Sequence, residues 1–243
     1  MAKIDKVGDG IYRIVTLTQG YPVNFIQFLV EDEHPALIHT GMYPWYAEVR
    51  KAVAQVLDPK KIEYVIVPHF EADECGGMGR FVAESPQAVL VCSDVGAAIN
   101  LSQWDYSGPV RGVRDGDLIG LGKHKLRFLE TPHVHHWDSM MLFDETTKSL
   151  FSSDLFIVPG DQPPIMREKL AKEMCQLYRD VGIFAAEEPV RRVVDRIEKL
   201  NPEWIHPMHG GSLPVDVFPA YFTALRNEPF AYEGKLMGRV LPR

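Results

Sequence analysis

Cysteine is scarce in this chain, and paired cysteine is absent. Only Cys75, Cys92 and Cys175 occur in 243 residues, at spacings that fit neither a disulfide framework nor a zinc knuckle. No apolar segment opens the chain and none approaches the length of a membrane span, so neither a leader nor a bilayer partner is expected, and the predicted location is cytoplasmic. Positive charge is also in short supply: 26 Lys and Arg face 33 Asp and Glu, a net charge of −7. The run Lys123-His124-Lys125 is too short for a basic stripe and reads as a solvated turn, so no nucleic-acid partner is expected. Low-complexity sequence and long linkers are missing too, which predicts a single domain over residues 1–243. What remains is a soluble globular composition, 46% hydrophobic and 24% charged, enough for one large core.

Strand-like runs at 10–15 and 23–30, joined through Gly20-Tyr21-Pro22, predict a meander. A third strand at 36–41 ends in a glycine turn. Pro44 opens a helix predicted over 45–57, with Val49, Val53 and Val56 on one face. Strands at 63–67 and 89–92 bracket a helix at 77–84, and a short helix follows at 96–104. Further strands are predicted at 109–114, 124–130, 139–144 and 149–153. Residues 155–167, rich in Pro and Gly, read as a loop over the site. Helices at 168–184 and 187–199, a strand at 203–205 and a helix at 215–226 complete the chain. Strands and helices alternate in two halves, as an α/β sandwich of two sheets flanked by helices requires.

The densest chemistry is His69-Phe70-Glu71-Ala72-Asp73-Glu74, directly after the apolar strand Tyr64-Val65-Ile66-Val67. If the chain stays extended, His69, Glu71 and Asp73 share one face. An imidazole with carboxylates suits a metal held in a high oxidation state, such as iron, better than imidazoles alone. A polar loop with a chance histidine is the competing reading. Three further segments carry donors beside turns: Thr131-Pro132-His133-Val134-His135-His136-Trp137-Asp138-Ser139, Leu150-Phe151-Ser152-Ser153-Asp154, and Ile205-His206-Pro207-Met208-His209-Gly210-Gly211. A carboxylate can bridge two cations, one through each oxygen, and Asp154, alone at a strand end, is the candidate. Leu155 to Pro159 does not look like a helix start, which argues against an N-cap role for it.

The order His-x-Glu-x-Asp, Thr-Pro-x-x-His, Ser-x-Asp, His-Gly resembles the metallo-β-lactamase superfamily, and within it the flavodiiron branch. Zinc hydrolases of the superfamily mostly carry His-x-His-x-Asp-His. Glu71 replaces the second His here, and Glu at that position marks the di-iron branch. The resemblance covers nearly the whole chain and implies a metallo-β-lactamase-like αββα sandwich. It also implies one iron held by His69, Glu71 and His135, a second held by Asp73 and His209, and Asp154 bridging them. His135 is selected because the flavodiiron ligand lies four residues after Thr131. His133 and His136 are then expected behind the ligands or at the surface.

Departures from the family pattern matter as well. Glu74 stands where flavodiiron proteins usually have His, and is open to three readings: an extra ligand, a base behind the ligands, or a solvated side chain. His39 replaces the superfamily's usual Asp at the end of the third strand and reads as a buried or ligand-supporting histidine. Cys75 replaces a common Ser; a thiol near iron can be oxidised, but a small buried residue is the plainer reading. The flavodoxin-like domain of flavodiiron proteins has no room after His209, so no flavin is expected in this chain, which resembles stand-alone oxygen-binding di-iron proteins.

Glu71, Asp73 and Asp154 would offset three of the four positive charges of two ferrous ions, which favours long-lived dioxygen binding. Three functions therefore compete. One is a di-iron protein that senses or carries O2, read by a signalling partner. Another is an O2 or NO reductase supplied by a separate redox protein. The last is a zinc-dependent hydrolase of esters, lactones or thioesters. By resemblance the chain is expected to form a homodimer. Tyr43, Trp45, Trp104, Tyr106 and Trp137 are candidates for the pocket wall or an interface, or ordinary core residues.

Overall fold

The computed structural model describes residues 2–16, 20–103 and 106–234. Seven strands form one sheet in sequence order: β1 (Lys3–Gly8), β2 (Ile11–Thr16), β3 (Phe25–Val30), β4 (Ala36–Ile38), β5 (Tyr64–Ile66), β6 (Val89–Ser93) and β7 (Val110–Val113). The first four pair antiparallel, and β4 through β7 run parallel. The second sheet contains β8 (Leu118–Gly120), β9 (Lys125–Glu130), β10 (Met140–Asp144), β11 (Ser149–Ser153), β12 (Trp204–Pro207) and β13 (Leu213–Pro214), in the order β13-β12-β11-β10-β9-β8.

The two-residue alternation of side chains sorts each strand between two cores. Ile26, Phe28 and Ile66 from the first sheet meet Leu126, Phe128, Leu142 and Phe151 from the second in a core between the sheets. Leu29, Val65 and Leu90 point the other way, onto α1 (Tyr46–Val53) and α3 (Met78–Glu84), through Val49, Val53 and Phe81. Met141, Phe143 and Leu150 likewise face α4 (Ala171–Val181), α5 (Glu187–Leu200) and α6 (Phe218–Asn227). In α5 the buried residues Val190, Val193, Val194 and Ile197 follow helical spacing. Left-handed residues end two of these helices, Gly182 at φ 72° after α4 and Asn201 at φ 50° after α5. The result is the expected αββα sandwich, and no helix among the described residues is long and apolar enough to cross a membrane.

Several boundaries differ from expectation. β1, β8 and β13 are additional strands; β1 buries little beyond Val7, so its pattern carries little signal. The helix expected over 45–57 is α1 alone, preceded by a 3-10 turn at Tyr43–Trp45 that holds Pro44. The expected 96–104 helix is a π turn, Gly96–Asn100, followed by a 3-10 turn, Leu101–Gln103; Trp104 lies outside the described residues. The segments that follow β5 and β11 at their carboxyl ends, the loop before β10, and the turn after β12 gather at one end of the sandwich, beside the start of β3.

Candidate metal centre

Every one of the six expected donor residues lies at this end, but not in the expected local geometry. β5 ends at Ile66, the chain bends at Pro68 and His69, and Glu71 N–H donates to His69 O at 3.2 Å before Ala72 begins α2 (Ala72–Cys75). Glu74 N–H and Cys75 N–H both donate to Glu71 O, at 3.1 and 2.9 Å. His69, Glu71 and Asp73 therefore do not lie on one strand face, which corrects that expectation. This turn is tight: a Cβ on Gly76 would lie 2.5 Å from Tyr43 N and 2.6 Å from Ala72 O, so only glycine lets the segment pack this closely.

The side chains form two groups around Asp154. On one side, Asp154 Oδ2 lies 3.0 Å from His135 Nε2 and 3.3 Å from His69 Nε2. Glu71 Oε2 faces the same two nitrogens at 3.1 and 3.3 Å. On the other side, Asp154 Oδ1 lies 3.3 Å from His209 Nε2, and Asp73 Oδ2 approaches that nitrogen at 3.5 Å. The two oxygens of one buried carboxylate thus face two different donor groups.

His136 is a competitor on the first side, since its Nε2 is 3.9 Å from Glu71 Oε2 and its ring packs 4.6 Å from that of His135. It makes no contact with Asp154, is 36% exposed, and turns its Nδ1 toward Asp138 Oδ1 at 3.7 Å. His133 is exposed and its backbone N–H donates to His136 O at 2.7 Å, so it supports the loop rather than the cluster. His39 is fully buried, with Nδ1 3.3 Å from Glu74 Oε1.

Residues that the sequence did not single out hold the cluster in place. Asn24, just before β3, accepts His209 Nδ1–H on its backbone oxygen at 2.6 Å. Its side chain accepts Gly210 N–H at 2.7 Å and donates to Gly210 O at 3.4 Å. Buried Arg13 donates to the same Gly210 oxygen at 2.7 Å. A polar residue inside the apolar run Val23-Asn24-Phe25 was the one local signal for Asn24. Asp138 accepts Phe70 N–H at 3.3 Å and Asn100 Nδ2–H at 3.2 Å, tying the histidine loop to the segment after His69. Ser153, at φ 51°, takes the left-handed backbone that a side chain rarely adopts; its hydroxyl donates to Glu74 Oε1 at 2.6 Å.

Electrostatics here are those of acceptors that need cations. Hydrogen bonds from His135 and His69 hold the Glu71 carboxyl down at about 2. Burial disfavours charge on Asp154, but its three histidine neighbours hold its carboxyl well below the ordinary range. Burial likewise opposes a proton on the histidines, and their carboxylate partners outweigh it: His135 is raised to about 9, His209 to about 10, and His69 well above its ordinary value. Asp73 is raised, because burial outweighs its contact with His209.

These residues fit a pair of metal ions. His209 Nδ1 is committed to a carbonyl that can only accept, so Nε2 turns a lone pair or an added proton toward Asp154 and Asp73. Asp154 Oδ1 is buried with no hydrogen-bond partner, which a bound cation would supply. Two donors each about 2.1 Å from a metal lie roughly 3 to 3.5 Å apart, the separation found here between Nε2 atoms and carboxylate oxygens.

A cavity of about 310 Å³ opens onto the cluster, lined by Glu71, Asp73, Asp154 and His209 together with Phe25, Ile157 and other apolar residues. Of the aromatics considered from sequence, Trp45 packs 4.9 Å from Phe25, whose ring meets His209 at 5.0 Å. Tyr43 and Trp137 are exposed, and Tyr106 and Trp137 line a separate open cleft that includes none of the six donors. Cys75 is buried, and burial followed by the charges of Glu74 and Asp73 pushes its thiol up to about 12. It stays a thiol, the unreactive state.

Known proteins are similar to this chain in sequence and in fold. Residues 23–210 match the family described as ODP family beta lactamase. Rubredoxin-oxygen oxidoreductase of Megalodesulfovibrio gigas is 30% identical over 192 residues, 75% of this chain and 47% of that protein. A nitric oxide reductase of Moorella thermoacetica is 26% identical over 195 residues, 75% of this chain and 48% of that protein. The chain spans about half the length of these curated relatives. Among solved structures, the rubredoxin oxygen:oxidoreductase of Desulfovibrio gigas shares the fold with a TM-score of 0.83 at 24% identity, over 93% of this chain and 62% of that one. The Flv1 flavodiiron core of Synechocystis does so at 0.81 and 19%, over 93% and 61%. The chain belongs to the ODP family of beta-lactamase-like proteins, in the flavodiiron-like branch of the metallo-β-lactamase superfamily.

Proposed function

We propose that this chain is a non-haem di-iron protein that binds dioxygen. The observation that carries the reading is Asp154, with Oδ2 turned to His69 and His135 and Oδ1 turned to His209. Asp154 would bridge, with His69, Glu71 and His135 on one ion and Asp73 and His209 on the other. Three carboxylates among six donors favour iron over zinc. Two ferrous ions held there would supply electrons to a small diatomic ligand.

The chain's own residues do the rest. Asn24 and Arg13 fix the turn that carries His209. Phe25 and Ile157 wall the cavity beside the donors, which suits a small apolar molecule and disfavours water. Glu71, 46% exposed as a side chain, stands at the mouth, where an incoming molecule meets the cluster.

A second reading, reduction of O2 or NO with electrons from a separate redox protein, is favoured by the names of the relatives, a rubredoxin-oxygen oxidoreductase and a nitric oxide reductase. Anaerobic purification, elemental analysis and absorbance spectra before and after O2 test these readings. About two irons per chain and a long-lived new visible band support dioxygen binding. A band that decays only when reduced rubredoxin is added supports turnover. Zinc with no spectral change overturns both and returns the chain to metal-dependent hydrolysis.

A further inference from the structure

Glu74 follows Asp73 directly, at the position where the family resemblance calls for a histidine. Its carboxylate is fully buried, yet it points away from Asp73 and His209. Oε2 accepts the backbone N–H of His69 at 3.1 Å and lies 3.0 Å from His69 Nδ1. Oε1 accepts the Ser153 hydroxyl at 2.6 Å and lies 3.3 Å from His39 Nδ1. Two of these contacts, from the His69 N–H and the Ser153 hydroxyl, are hydrogen bonds. The carboxylate stands on the Nδ1 side of His69, while Nε2 faces Glu71 and Asp154.

The same contacts decide which nitrogen of His69 is free. Ser153 spends its only proton on Glu74, so its oxygen accepts from His69 Nδ1, 3.1 Å away. Nδ1 thus faces two acceptors and carries the ring proton, while Nε2 faces Glu71 and Asp154. On the other side of the centre the matching partner is neutral, the backbone oxygen of Asn24 behind His209. A carboxylate behind a ligand imidazole makes it a stronger donor than a carbonyl does.

We propose that Glu74 is not a metal ligand but the positioning residue of His69, and that it makes the His69–Glu71–His135 side of the centre the tighter of two metal sites. The inference rests on the metal reading of the site but not on which metal is native or what it binds.

The test is a titration of metal-free protein with Co²⁺, followed by the visible absorption of each bound ion. Wild type should fill in two steps. Glu74→Gln should weaken the tighter step by roughly 10- to 100-fold and leave the weaker step within about threefold, and Glu74→Asp should recover part of the loss. A tighter step unchanged within about twofold, or both steps weakened alike, overturns the proposal. Wild type that binds no Co²⁺ at all overturns the metal reading itself, which separates the two failures. Should Glu74→Gln fail to fold, imidazole ¹⁵N spectra of zinc-loaded wild type decide the matter: a proton on His69 Nδ1 with zinc on Nε2 supports the proposal, and zinc on Nδ1 overturns it.

Discussion

At the end of the sandwich opposite the metal centre, a second buried histidine meets a second buried carboxylate. His124 Nδ1 lies 2.7 Å from Asp144 Oδ2, which also accepts the Thr147 hydroxyl at 2.5 Å. Asp144 Oδ1 accepts the N–H groups of Lys125 and Thr146 at 3.2 and 3.1 Å, and the His124 N–H donates to Asp32 Oδ2 at 2.7 Å. Donor faces acceptor throughout, and the cluster ties together three turns. Around Asp154 the burial and the residue types are similar, but three imidazoles converge on one carboxylate and its Oδ1 makes no hydrogen bond. Burial of histidine beside carboxylate therefore does not mark a metal site; several imidazoles converging on a carboxylate oxygen left without a hydrogen bond do.

The contrast is sharpest under truncation. Asp144→Ala should cost about 3–5 kcal/mol of stability in urea unfolding, because it leaves buried His124 without its partner and frees two part-buried backbone N–H groups. Asp154→Ala in the metal-free protein should also lower stability at pH 7, because His69, His135 and His209 lose the carboxylate that holds them raised; an unchanged stability would show that these histidines do not pair with Asp154. The same Asp154→Ala change should lower metal affinity at least about a hundredfold on both sides of the centre, read by calorimetry with Zn²⁺. A loss on one side alone would show that Asp154 does not bridge.

Smaller effects should follow from the supports. Asn24→Ala removes two hydrogen bonds to Gly210 and should cost about 1–2 kcal/mol, with the metal loss confined to the His209 side. The gentlest probe is pH. The hydrogen bond to Asp144 raises the His124 pKa above 6.5, against burial. Burial would raise Asp144, but His124 and Thr147 hold it below 3.8. The pair therefore contributes fully between pH 3.8 and 6.5. Its contribution fades as pH rises through the raised His124 value, and as pH falls through the lowered Asp144 value. The difference in melting temperature between wild type and His124→Gln should shrink from pH 6.5 upward; a constant difference to pH 10 would show that His124 acts by packing alone.

Much of the layered architecture was legible because the apolar runs of β3 and β10 and the helical spacing along α5 are properties of a few consecutive residues. β1 escaped because Val7 alone of its six residues is buried, and β8 and β13 because three and two residues are too few to leave a pattern. At the centre, the donor residues were legible as types beside turns, while their grouping was not. His206 and His209 look alike in sequence, three residues apart. His206 turns into the core beside Phe28 and Phe151, where burial lowers it to about 3, and its Nδ1 pairs with Ser212 at 2.8 Å. His209 reaches the carboxylates.

By itself, then, the sequence determined the strand and helix periodicity and the order of donors along the chain, since both are written in local spacing. Tertiary structure decided which donors share a side. The turn into α2 moved Asp73 from Glu71 to His209, and Ser153 and His39 drew Glu74 behind His69. Asn24, 185 residues from His209 in the chain, fixed the imidazole that faces Asp154. Such contacts exist only once the two sheets close on each other, because nothing in local spacing brings together groups so far apart along the chain.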